Sequence, residues 1–139
     1  MNLVNPESLA QVLKSKKRNK GGNLTVVSKA TKKEFTYRIA RSEFKDKWYT
    51  QVYVETQYLQ FKHLGVYKEG GLFKAGQAVV TPAALGASWL LKHCENGNHT
   101  LVTTQAEIYH TGSCLKCGKE LTDSESIKAG LGPICRSIK

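Results

Sequence analysis

Near the end of the chain, His110, Cys114, Cys117 and Cys135 bring metal-donor atoms into one short stretch, YHTGSCLKCGKELTDSESIKAGLGPIC. Cys114 and Cys117 form C-x2-C followed by Gly118, a spacing that turns two thiolates toward one ion while the glycine absorbs backbone strain. Cys135 is the third thiolate, delivered by GLGPIC, where Gly130, Gly132 and Pro133 make a tight, preset turn. A tetrahedral site needs a fourth donor. His110, four residues before Cys114 with Gly112 between them, is the first choice; Cys94 is the second, and His93 and His99 trail behind. With every position filled by protein, the expected ion is a structural Zn2+ with no place for a water nucleophile. It would contribute on the order of 10 kcal/mol to folding of this tail. The competing reading, a C-x2-C redox pair, lacks a strand-to-helix setting, and a third nearby cysteine would compete in disulfide exchange.

The elements that must position these residues can be read from periodicity and caps. Between Cys117 and Cys135, LTDSESIKAG predicts a short helix with Thr122 as N-cap, Glu125 in capping-box register and Gly130 as its stop. Upstream, residues 1–22 read as an amphipathic helix and a linker. Asn5 caps the helix, Pro6 opens it, Leu9, Val12 and Leu13 form one stripe, and a basic, mobile linker KSKKRNKGG follows. Residues 23–98 read as a sheet plus its covering helix: from Asn23 to about Gly76 the chain alternates, as in Phe35, Tyr37 and Ile39 against Glu34, Thr36 and Arg38, and predicts four or five antiparallel strands with hairpins at Thr31–Lys33 and Gly70–Gly71. TPAALGASWLLKHCENG is the covering helix, with Thr81 as N-cap, Pro82 in the first turn and Leu85 stacked on Trp89. Residues 99–139 then enter the knuckle through an extended LVTTQAEIYH. The expected fold class is α+β: a small antiparallel sheet covered by a helix, with a C-terminal zinc knuckle.

The run H-x-G-x-C-x-x-C-G-x-x-L-T-x-x-x-S-I-x-x-G-x-G-P-x-C is matched here by His110, Gly112, Cys114, Cys117, Gly118, Leu121, Thr122, Ser126, Ile127, Gly130, Gly132, Pro133 and Cys135. It resembles the C-terminal signature of a domain-of-unknown-function family found in bacteria and their phages. TVVSKATKKEFTYRI, HLGVY and the helix around Trp89 resemble the usual front half of such proteins, so the likeness covers most of residues 23–136. The resemblance implies a zinc-binding, phage-type protein with His110 among its ligands, and it supplies no function. The family's arginine-rich linkers and the proline before its Glu-Ser pair are replaced here by lysines and by Ser124.

Charge speaks about partners. Residues 1–41 hold ten Lys or Arg against two acids, so most of the net +10 of this 139-residue chain lies in its first third. Ten of the twelve aromatic residues fall between Phe35 and Phe73. A basic arm beside an aromatic sheet is the footprint of nucleic-acid binding, single-stranded or non-specific. The phosphate contacts would come from Lys14, Lys16, Lys17, Arg18, Lys20, Lys29, Lys32, Lys33, Arg38 and Arg41, with Tyr37, Trp48 or Tyr53 stacking on bases. An alternative is a phage-encoded module that docks on a host protein, a transcription or defence enzyme, through Leu9, Val12 and Leu13. No apolar run spans a membrane and no leader is evident, which places the expected protein in the cytoplasm of a bacterial host. No nucleophile elbow, phosphate loop, H-E-x-x-H or zinc-deaminase pattern occurs, so no catalytic role is expected.

Overall fold

The sheet is set by tight turns. At Lys45-Asp46, Glu69-Gly70 and Ala75-Gly76 both central residues have positive φ. That is the twist a two-residue type I′ hairpin needs, and the flanking residues pair directly: Phe44 with Lys47, Lys68 with Gly71, Lys74 with Gln77. The computed structural model describes residues 2–57 and 60–137, with the side chains of 136 and 137 set aside. Its strands are β1 (Asn2–Leu3), β2 (Asn23–Ser28), β3 (Glu34–Phe44), β4 (Lys47–Gln57), β5 (Gln60–Lys68), β6 (Gly71–Lys74), β7 (Gln77–Ala78) and β8 (Ala106–His110). They form one antiparallel sheet in the order β1-β8-β2-β3-β4-β5-β6-β7.

The expected α+β class holds, on a larger sheet than the predicted four or five strands. The increase lies partly at one edge, where β8 pairs with β2, Leu24 opposite His110 and Ser28 opposite Ala106, and β1 pairs with β8. Only the second half of LVTTQAEIYH is extended; His99–Gln105 folds as a helix, α3.

Helices α1 (Pro6–Lys14) and α2 (Pro82–Glu95) pack on one face of the sheet. Alternation sends Tyr37 and Ile39 of β3, Val52 and Val54 of β4, Tyr67 and Leu72 to that covered face. Both helices start as expected: the Asn5 side chain accepts from the Glu7 N–H at 3.0 Å, and the Thr81 hydroxyl accepts from the Ala84 N–H at 3.3 Å. The inner stripe of α2 is Ala84, Ala87, Leu90, Leu91 and Cys94. Leu85, expected to stack inward with Trp89, is 54% exposed, because the buried stripe centres on the other side of the helix.

The basic linker departs furthest from expectation. Instead of a mobile tether it is a strap: Asn19 exchanges backbone hydrogen bonds with Arg41 at 3.1 and 3.0 Å, Gly21 donates to the Lys116 carbonyl at 3.0 Å, and Gly22 donates to the Leu115 carbonyl at 3.2 Å. Glycine makes this possible, since a Cβ at Gly21 would overlap the Ile39 carbonyl oxygen and one at Gly22 that of Cys114. One hydrophobic cluster extends from Val4 to Cys135, so segments 1–22, 23–98 and 99–139 all contribute to it. Among the described residues no helix is long and apolar enough to cross a membrane.

Candidate metal centre

After β8 the chain turns on itself. The Cys114 N–H donates to the Lys119 carbonyl at 2.8 Å and the Gly118 N–H returns to the Cys114 carbonyl at 2.9 Å, closing a knuckle around C-x2-C-G. Helix α4 (Ser124–Ala129) follows, capped by Asp123, whose carboxylate accepts from the Ser126 N–H at 3.0 Å. The cap is thus one residue later than the expected Thr122. Gly130 ends α4 with φ of 72°, as its sequence position implies, and its carbonyl accepts from the Leu115 N–H at 2.9 Å, binding helix to knuckle. Helix α5 (Pro133–Ser137) then carries Cys135 back.

The result is a cluster: the Sγ atoms of Cys114, Cys117 and Cys135 all lie within 4.8 Å of one another, close enough to hold a metal ion. Soft thiolate sets of this kind suit zinc and other thiophilic metals. Burial pushes the Cys114 thiol up, but the backbone N–H groups of Cys117, Gly132 and Lys116 outweigh it and leave its pKa lowered. The Gly132 N–H points at Cys114 Sγ from 3.4 Å. Cys135 is pushed up to about 12, first by burial and then by its hydrogen bond and charge interaction with Cys114. Of Cys114 and Cys135, Cys114 is therefore the thiol that ionises more readily. Lys116, which sequence reasoning passed over, is only 3% exposed and donates to the Cys135 carbonyl at 3.1 Å. It sets a cation beside the thiolates; burial lowers its pKa while Cys135 and Cys114 raise it. The dipeptide between two cysteines was the available signal for it.

His110 is not where the spacing put it. The ring is fully buried, Nε2–H donates to the Ile127 carbonyl at 2.6 Å, and Nδ1 accepts from the Gly112 N–H at 3.0 Å. Both nitrogens are committed to backbone, and the ring joins α4 to the end of β8 instead of the metal cluster. The runner-up, Cys94, faces the core from α2. His93 pairs with the Asn98 side chain at 3.0 Å, and His99 opens α3. Among the described residues, then, the predicted tetrahedron has three protein corners.

The residues assigned to nucleic acid divide by face and by end. Tyr37 is 1% exposed and its hydroxyl donates to the Ala83 carbonyl at 2.6 Å, so it cannot stack on a base. Trp48 shares strand parity with Val52 and lies on the helix side, its ring 5.9 Å from the Arg41 guanidinium. Arg41 is buried and donates to the Ser15 carbonyl and the Thr50 hydroxyl, both at 2.8 Å, which removes it from phosphate. Leu9, Val12 and Leu13, offered as a docking stripe, are core. Tyr53 and Arg38 are cross-strand partners on the open face. Phe61, not anticipated, brings its ring centroid to 4.2 Å from the Arg38 guanidinium, and Lys20, Arg38, Ala40, Tyr53 and Phe61 line one shallow depression. Lys14, Lys16, Lys17, Arg18 and Lys20 are exposed around the strap. Lys29, Lys32 and Lys33 belong to the far end of β2, roughly 17 Å away along the strand. Lys29 there donates to the Thr103 carbonyl at 2.6 Å.

A model of a family described as "Family of unknown function (DUF6011)" matches residues 104–138, which take in the whole cysteine cluster. The front half of the expected likeness lies outside that match. No curated protein and no solved structure matches the chain.

Proposed function

We propose that this chain is a zinc-stapled protein that binds single-stranded nucleic acid on the open face of its sheet. The observation that carries the reading is the Arg38 cluster. Its guanidinium stacks on Phe61 and donates to the Asn23 side chain at 3.0 Å, while its buried Nε has no hydrogen-bond partner among the described residues. A cation held against an aromatic ring, with Tyr53 and Lys20 lining the same depression, suits a phosphate flanked by a stacked base. The exposed cations of the strap, Lys16, Lys17 and Arg18, lie just before Lys20 in the chain and would add phosphate contacts. The three-cysteine cluster supports zinc as the metal, since a thiolate-only set with C-x2-C spacing favours it among abundant divalent ions. When bound, the ion would link the knuckle to α5. The strap, hydrogen-bonded to the knuckle, would gain its fixed course.

Fluorescence anisotropy of labelled single strands across a salt series tests the reading. Affinity is expected to fall linearly with log salt and to drop by roughly tenfold in Phe61→Ala, from loss of one stacking platform. Reversing Lys16, Lys17 and Arg18 to Glu should flatten the salt slope, whereas reversing Lys32 and Lys33 should leave it unchanged. Binding that ignores salt, or equal sensitivity to both lysine groups, would remove the proposed surface.

A further inference from the structure

We infer that the metal held by Cys114, Cys117 and Cys135 keeps one coordination position for a donor from outside the chain, and that a small thiol binds there. The inference rests on the reading of the cysteine cluster as a metal centre. Its first support is the donor count: among the described residues no fourth His, Cys, Asp or Glu joins the cluster. The nearest histidine in sequence has spent both nitrogens, with Gly112 donating to Nδ1 and Nε2 donating to the Ile127 carbonyl.

The second support is access. A groove of about 290 Å³ opens beside the cluster, and Cys117 and Cys135 line it while the fully buried Cys114 does not. Leu121, Pro133 and Ile134 give the groove apolar walls, and Ile134 is 67% exposed. Lys17 also lines it, alongside the acids Glu120 and Asp123. Cys114 therefore forms the floor of the site, the two other cysteines its sides, and the open position faces the groove. Four-coordinate zinc with three protein ligands completes its shell with water or substrate.

The chemistry of the donor follows from the set already present. Three thiolates and one divalent ion would sum to one negative charge, with the Lys116 side chain buried beside them and Lys17 lining the groove. A soft, single-atom donor on an apolar stem matches both metal and walls. On binding, the thiol would give its proton to solvent and its sulfur would take the fourth position in place of a water ligand. No electron moves.

Two measurements on the intact chain test this. On protein prepared without any added thiol, zinc-edge X-ray absorption should show three sulfurs and one oxygen, with no imidazole scattering; four sulfurs or an imidazole in that thiol-free sample would overturn the inference without any variant having to fold. Cobalt-loaded protein titrated with 2-mercaptoethanol should then gain sulfur-to-cobalt charge-transfer intensity by about a third, the step from three thiolates to four. Cobalt uptake with no response to the thiol would overturn the inference alone. Failure to take up cobalt would overturn the metal centre itself.

Discussion

The Cys94 thiol lies at 1% exposure on the inner face of α2, and burial pushes its pKa from 9.0 up to about 12. Such a group stabilises the fold below its unfolded pKa. Above about pH 9 the unfolded chain ionises first, so that contribution is lost progressively as pH rises toward 12. Tyr37 and Tyr67 are raised as well, both by burial first and Tyr67 also by Glu95, and they add to the loss from about pH 10 upward. Urea unfolding at a series of pH values should therefore show stability falling across this range, and less steeply in Cys94→Ala. Equal slopes for variant and parent would mean that Cys94 is not desolvated as described. Cys94 and His110 illustrate one rule: a residue type that can ligate a metal does so only if its surroundings leave a lone pair free. His110 at the end of β8 meets backbone on both sides before any ion can compete.

At the scale of elements, α4 and the glycine strap decide how firmly the three cysteines are gathered. Asp123→Ala removes the acceptor for the Ser126 N–H and should cost about 1 kcal/mol of stability. Because α4 leads through Gly130 into the turn that delivers Cys135, metal affinity should fall too, by roughly fivefold for that energy. Gly22→Ala places a Cβ against the Cys114 carbonyl, backbone on backbone, and should cost about 2 kcal/mol or more. Competition with a chromophoric chelator reads both; unchanged metal affinity in the two variants would show that neither element positions the site. Elements with local signals were legible in the sequence, among them the Asn5-Pro6 and Thr81-Pro82 helix starts, the Gly130 stop and the C-x2-C-G turn. Helix α3 has no side-chain cap and is rich in β-branched residues, so it read as extended. Strand β1 has no local signal, and β8, legible as extended, could not be placed in the sheet, because both depend on pairing across the whole chain, Asn2 with His110 and Leu24 with the same residue. Alternation showed that β4 has two faces without saying which one the helices cover. For that reason the sequence offers both Trp48 and Tyr53 as stacking candidates, although they are five positions apart and so of opposite parity, and only Tyr53 lies on the open side.

For the whole molecule the question is whether the knuckle is an appendage or a part of the core. Leu115, Leu121 and Leu131 belong to the same buried cluster as Leu24 and Ile39 of the sheet. His110, the last residue of a strand with neighbours on both sides, is also the residue that holds α4. Gly21 and Gly22 hydrogen-bond the knuckle directly to the chain entering β2. With so many contacts shared, the metal's contribution should spread over the entire fold instead of remaining in the last residues. Chelation is accordingly expected to lower the midpoint of a single thermal transition by roughly 30 °C, with no separate early transition. The same treatment should weaken nucleic-acid binding, because the strap bearing Lys16, Lys17 and Arg18 loses the partner that fixes its course. Calorimetry and anisotropy on chelated and reloaded protein measure the two effects together. A small early transition that leaves the main one in place, with nucleic-acid affinity unaltered, would make the knuckle an independent unit and separate the metal from the binding face.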